Sequence, residues 1–363
     1  MTEPALPTRR WVAIDHPSWR QAHASSVLAV GGDLLAAWFA GAWEGSPDTR
    51  IWCARRPAGA SRWSAPQIVA SADEAHWNPV LAAGPDGALW LFFKRGPLIS
   101  EWVTWVCRSA DGGRTWSPSS ELVPGDVGGR GPVKNPPLLL PDGTWLAPGS
   151  QESWGAEPVW ESFVDVSTDA GATWRRAPIP LDRDALRGPG VIQPALWRDG
   201  STVYALLRSS EGRAYRACSP DGGRTWSTAQ PVGLPSNNSG LTVVALPDGS
   251  VGCVHNPVGD DWGARCPLVL SRSCDEGVSW REVLTIEDGR TPVDEDAARL
   301  PGPPDAAGIH PADGGVRTSG AGEYSYPAAT SLGDTLVVTY TWQRRGIVEA
   351  TVPIHSVIPE GPA

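Results

Sequence analysis

Apolar residues in this chain fall in short runs, each introduced by a turn dipeptide. Gly32-Asp33 precedes Leu34-Leu-Ala-Ala-Trp38, Asp86-Gly87 precedes Ala88-Leu-Trp-Leu-Phe92, and Asp142-Gly143 precedes Thr144-Trp-Leu146. The pattern returns at Asp199-Gly200, Asp248-Gly249 and Gly333-Asp334, ahead of Ser201–Ala205, Ser250–Val254 and Thr335–Thr339. Asp-Gly between apolar runs is a strong short-range hairpin signal. Six hairpins at a spacing of roughly 50 residues predict six four-stranded sheets, and hence an all-β, six-bladed β-propeller. No run has the periodicity of an amphipathic helix. One interval, Asp248 to Asp334, is too long for a single repeat. Its excess falls at about 287–322, rich in Pro, Gly and Asp, and predicts a long surface loop. Residues 1–363 otherwise read as a single propeller domain.

A second repeat counts the blades independently. Ser109-Ala-Asp111-Gly-Gly113-Arg-Thr115-Trp116 recurs with changes as Ser167 to Trp174, Ser219 to Trp226 and Ser273 to Trp280, giving S-x-D-x-G-x-[ST]-W four times. A worn fifth copy ends at Trp63, where Arg62-Trp63-Ser64 parallels Thr115-Trp116-Ser117. The chemistry is that of a turn: Asp accepts backbone N–H bonds, Gly permits positive φ, and the Trp packs between neighbouring sheets. The box is therefore assigned to folding, and catalysis is sought elsewhere.

Composition narrows the function. Twenty Trp against four Phe and five Tyr match a repeated structural use of Trp. The net charge of −10 argues against nucleic acid and against anionic membrane surfaces. No apolar run approaches the ~20 residues that span a bilayer. Met1 to Arg10 lacks the apolar core of a signal peptide, so a cytoplasmic location is expected. The six cysteines show no C-x-x-C spacing, and no phosphate loop, G-x-S-x-G elbow or H-E-x-x-H motif is present, so neither metal nor cofactor is expected.

A box of this form, repeated at this spacing, resembles the Asp-box or bacterial neuraminidase repeat proteins. From about Arg20 to Glu349 the chain is similar to the sialidase superfamily, in particular to a sialidase-like branch. The residues carrying that likeness are His23-Ala-Ser25, Trp38-Phe39, Glu44-Gly45 and Tyr324-Ser-Tyr-Pro327. The resemblance implies a carboxylate clamp of three arginines, an acid/base Asp, and a nucleophilic Tyr activated by a Glu, all at the propeller mouth. Arg208 and Arg265 match the second and third arginines, Tyr324 the nucleophile, and Asp48 the acid/base. Two positions depart. His23-Ala-Ser25-Ser26 stands where the first arginine is expected, and Gln193 where the activating Glu is expected. Gln can hold a hydrogen bond but cannot take a proton from Tyr.

Further candidates come from the residues themselves. Tyr324 and Tyr326 share a face if their segment is a regular strand. Glu44 lies four residues before Asp48, in a Gly/Pro-flanked loop, and can serve as a clamp or acid. His23 can titrate near neutrality and act as base or acid beside Tyr324. Lys94 and Asn256, with Lys134-Asn135, Gln151-Glu152 and Asn237-Asn238, recur at similar phases and can offer hydrogen bonds to sugar hydroxyls. These residues point to a sialidase-like exo-glycosidase acting on an anionic, carboxylate-bearing sugar. The alternatives are a uronate-type lyase, with His23 as base, and a non-catalytic glycan-binding propeller.

Overall fold

The computed structural model describes residues 6–290, 293 and 322–358. Of the loop expected at 287–322, residues 291–292 and 294–321 lie outside that description. Six antiparallel four-stranded sheets form the molecule. The first strand, β1 (Thr8–Ile14), belongs to the last blade. Blade one is β2 (Gln21–Val30), β3 (Asp33–Gly41), β4 (Arg50–Arg56) and β5 (Gln67–Ala70). Blade two is β6 (His76–Ala83), β7 (Leu89–Arg95), β8 (Val103–Ser109) and β9 (Ser120–Glu121). Blade three is β10 (Leu138–Leu139), β11 (Trp145–Ser153), β12 (Val159–Ser167) and β13 (Arg175–Pro178). Blade four is β14 (Val191–Asp199), β15 (Thr202–Ser209), β16 (Arg213–Ser219) and β17 (Gln230–Pro235). Blade five is β18 (Thr242–Ala245), β19 (Val251–His255), β20 (Leu268–Ser273) and β21 (Arg281–Glu287). Blade six is β22 (Tyr324–Leu332), β23 (Thr335–Trp342) and β24 (Gly346–Pro353), completed by β1 pairing with β24.

Each of the six turn dipeptides joins the first and second strands of a blade, as the hydrophobic pattern predicts. Second strands such as β7 and β23 are buried along most of their length, because both faces pack on neighbouring blades. The boxes lie after the third strand. In the box of blade two, the Asp111 carboxylate accepts from Thr115 N at 2.9 Å and Thr115 Oγ1 at 2.6 Å, while Ser109 Oγ accepts from Gly113 N at 2.7 Å. The same bonds recur at Asp169, Asp221 and Asp275. These hydrogen bonds, the Thr115 hydroxyl first, pull the Asp111 carboxyl well below the usual range.

The box glycine has two reasons to be glycine. Gly113 adopts φ +83°, and a Cβ there would stand 2.7 Å from Leu35 Cδ2 of the preceding blade. The box tryptophans fill the seams between blades. Trp116 packs where blades one and two meet, Trp174 between two and three, Trp226 between three and four, and Trp280 between four and five. Trp63 sits at the seam of blades six and one, its indole N–H donating to Glu349 at 2.7 Å. The worn fifth copy keeps a trait of two of the others: Arg55 N donates to Ser64 Oγ as Arg108 N does to Ser117 Oγ and Cys218 N to Ser227 Oγ.

Candidate functional site at the axial mouth

The inner strands share an irregularity at one end. Pairing shifts by a bulge between His23 and Ser26, Trp77 and Val80, Ile192 and Ala195, and Ser325 and Ala328. At each bulge one non-glycine residue takes a left-handed backbone: Ala24, Asn78, Gln193 and Tyr326, with Asn238 alike just before β18. Bulges of this kind re-aim side chains, and strained φ values cluster at functional sites. Contacts across the ring show that these positions converge. Lys134 Nζ donates to Pro327 O at 2.5 Å, from blade three to blade six, and Arg208 reaches Tyr326 from blade four.

Arg208 is the centre of the group. Its guanidinium is buried, with Nε donating to Asn238 Oδ1 at 2.7 Å and Nη1 to Gln193 Oε1 at 3.3 Å and Tyr326 Oη at 2.7 Å. Asn238 is itself oriented by donating to Asp261 Oδ1 at 2.7 Å. Aromatic rings surround the charge: the centroids of Trp160, Trp262 and Tyr326 lie 5.8, 5.5 and 5.9 Å from Arg208 Cζ. Among the described residues, no carboxylate forms an ion pair with Arg208. Arg265 approaches the same ring, its Cζ 5.6 Å from the Tyr326 centroid.

Arg265 is neutralised where Arg208 is not. Its Nη1 lies 2.7 Å from Glu323 Oε1, and Arg344 Nε donates to both Glu323 oxygens at 3.0 and 3.2 Å. Arg344 also pairs with Glu44. Burial alone would raise the Glu323 pKa, but Arg344 and Arg265 outweigh it and hold the carboxyl well below its ordinary value. The His23 ring lies against that of Tyr326, tilted by 51° with centroids 4.4 Å apart, and its Nδ1 shares a 2.9 Å hydrogen bond with Thr341 Oγ1. Its Nε2 is buried with no hydrogen-bond partner. Burial first, and Arg344 next, depress the His23 pKa well below the usual value, so the ring is neutral.

The structure therefore brings together Arg208, Arg265, Tyr326, His23, Gln193 and, through Arg344, Glu44. Four expectations need correction. Tyr324 does not stand between the arginines. Its ring packs with Tyr340 and Leu268 in the core between blades five and six, and its hydroxyl accepts from Gln343 Nε2 at 3.1 Å. Asp48 is exposed and caps its own turn, accepting from Ala42 N at 3.2 Å and from the Ser46 hydroxyl. Lys94 spends its ammonium on Thr104 Oγ1, Gly129 O and Arg130 O at 2.5 to 3.1 Å, pinning a loop; burial lowers its pKa to about 7. Asn256 donates to Pro267 O and Tyr324 O at 2.8 and 2.9 Å, tying blade five to blade six.

Sequence reasoning missed Arg344, Glu323 and the clamp on Asn238. One signal was present: Asn78-Pro79, Asn135-Pro136, Gln193-Pro194 and Tyr326-Pro327 lie in or just before the inner strands of blades two, three, four and six. Among the described residues, no group of three or more His, Cys, Asp and Glu is placed to hold a metal ion. No described helix is long and apolar enough to cross a membrane.

Comparison with known proteins places this geometry in context. The BNR repeat-like domain family matches over residues 32–338. No curated protein matches the chain in sequence. A crystal structure of a Dyadobacter fermentans protein of unknown function is similar with TM-score 0.69 and 16% identity, over 96% of this chain and 100% of that one. The NanB sialidase of Streptococcus pneumoniae is similar with TM-score 0.66 and 11% identity, over 96% of this chain and 71% of that one. The Trypanosoma rangeli sialidase, in complex with the inhibitor DANA, gives TM-score 0.64 and 14% identity, over 91% of this chain and 55% of that one. The chain thus spans about half of the trypanosomal enzyme, and at these identities the likeness shows the propeller fold alone.

Proposed function

The chain belongs to the BNR repeat-like domain family, and from that premise we propose a sialidase-like glycosidase that removes a terminal, carboxylate-bearing sugar. One observation carries the reading. Arg208 is a buried guanidinium held by Asn238, Gln193 and a tyrosine hydroxyl, all neutral groups. A buried charge without a counter-ion is costly, and a bound carboxylate supplies one in the forked geometry that guanidinium favours. Arg265 and Arg344 lie beside it, but Glu323 and Glu44 pair with them, which leaves Arg208 as the guanidinium open to a substrate carboxylate.

Tyr326 takes the nucleophile's part. A neutral phenol avoids the repulsion that a carboxylate nucleophile would meet at an anionic anomeric centre. Arg208 donates to the phenol oxygen at 2.7 Å and holds it in place for attack. His23, whose ring lies against that of Tyr326 and whose Nε2 is unpartnered, takes the phenol proton once bound substrate brings the two within hydrogen-bond reach. A substrate carboxylate at Arg208 offsets the cations that depress His23 and makes it a better base. Gln193 orients Arg208 and through it the phenol.

A second reading, elimination from a uronate, draws on the same unpartnered Nε2, which would then take the C–H proton next to the carboxylate. Product analysis separates the two, because elimination leaves an unsaturated, ultraviolet-absorbing sugar and hydrolysis a saturated one. The binding premise is tested by calorimetry with N-acetylneuraminic and glucuronic acids. Arg208→Ala should weaken binding by about 1.5–3 kcal/mol, roughly tenfold to a hundredfold, with little change in melting. Equal affinity in parent and variant sinks the clamp.

A further inference from the structure

Cleavage by Tyr326 needs a proton at the departing oxygen, and Asp48 is committed to its own turn. Glu152, at the mouth end of β11, has the opposite surroundings. It is buried and stands directly across from Trp160 in the β11–β12 pairing. The Trp160 ring in turn lies 5.8 Å from the Arg208 guanidinium carbon, and Trp154 packs edge-on to Trp160 at 5.4 Å. Among the described residues, no cation forms an ion pair with Glu152. Two charged groups face it, Arg208 from β15 and Glu44 from blade one. Burial, opposed by Arg208 and by a hydrogen bond from Trp154 and aided by Glu44, raises its pKa to about 7. A substrate carboxylate on Arg208 would favour its protonated form further.

We propose that Glu152 is the general acid that protonates the leaving oxygen of a sugar acid bound at Arg208. The role rests on the glycosidase reading above. In the first step the Glu152 O–H proton moves to the glycosidic oxygen. The C–O bond breaks with its electron pair going to that oxygen, while the Tyr326 oxygen bonds the anomeric carbon and its proton goes to His23. In the second step Glu152, now a carboxylate, takes a proton from water. The hydroxyl bonds the anomeric carbon, and Tyr326 leaves and recovers its proton from His23.

The test compares parent, Glu152→Gln and Glu152→Asp on methyl and 4-nitrophenyl glycosides of N-acetylneuraminic and glucuronic acids. A methyl aglycone needs the proton; 4-nitrophenolate leaves without it. Glu152→Gln should lose about 10²–10⁴-fold in kcat/KM on the methyl glycosides and under about tenfold on the 4-nitrophenyl ones. The parent should lose activity as pH rises through about 7, Glu152→Gln should lack that limb, and Glu152→Asp should keep it at reduced rate. Equal losses on both aglycones, or an alkaline limb that persists in Glu152→Gln, overturns the role of Glu152 and leaves the glycosidase reading standing. A parent that cleaves none of the four substrates overturns both.

Discussion

Replacing Glu323 by Gln tests whether the mouth is held by its charges. The carboxylate is fully buried and bridges two guanidiniums, Arg265 at 2.7 Å and Arg344 at 3.0 Å. With Gln there, Arg265 loses its carboxylate and Arg344 keeps only Glu44. Breaking one side of a buried ion pair costs about 3–5 kcal/mol, because the remaining charge stays desolvated. Unfolding 363 residues at about 2.1 cal/mol/K each carries about 0.8 kcal/mol/K, so the melting temperature should fall by roughly 4–7 °C. Differential scanning calorimetry at pH 7 reads this directly. The sign of the pH dependence gives a second check. Glu323 has a depressed pKa in the folded state, so its stabilisation is present above the ordinary Glu value and is lost as pH falls through the folded one. The parent should therefore lose stability on acidification more steeply than Glu323→Gln. A variant that melts with the parent at pH 7, or shares its acid limb, refutes the account of Glu323 as the charge that binds the two arginines.

Two further substitutions separate site from scaffold. Tyr326→Phe should abolish turnover while Tyr324→Phe retains it, measured as kcat/KM on an aryl glycoside the parent cleaves; the reverse outcome would return the nucleophile to Tyr324. Trp226→Ala should cost about 3–5 kcal/mol by emptying the seam between blades three and four, and leave kcat/KM of the folded protein near the parent value. An unchanged melting curve would show that this seam does not depend on its box tryptophan.

The scaffold was legible because it repeats. Six turn dipeptides and four intact boxes each fix a blade, and one misread copy would not alter the count. Arg208, Arg265, His23 and Gln193 were singled out through the resemblance, which supplied the positions to look for relative to a box or a hairpin. The choice between the tyrosines was not. Tyr324 and Tyr326 share a face only in a regular strand, and here the bulge between Ser325 and Ala328, with Tyr326 at φ +50°, breaks the period of two. Tyr324 consequently turns into the core and Tyr326 towards the axis. Arg344 and Glu323 were hidden for another reason. Their meaning lies in pairs formed across blades, Arg344 with Glu44 some 300 residues away, and no local pattern records such a pair. Asp48 misled because a carboxylate that caps a turn and one that serves as an acid look alike in sequence.

Closure of the ring by β1 has a consequence for how the protein comes to be active. Thr8 and Thr351, paired across β1 and β24, are 343 residues apart, so the contact bears a loop-closure entropy of about 5 kcal/mol from (3/2)RT ln n. Every other strand pairing within a blade joins neighbours in the chain and can form first. Blade six, which β1 completes, meets blade one beside this pairing, where Ala22 N donates to Arg344 O, His23 bonds Thr341, and Arg344 pairs with Glu44. The mouth is thus finished only as the ring shuts. On refolding from denaturant, the β-sheet signal should return before the anion-binding site does, and the interval between them times the final clasp.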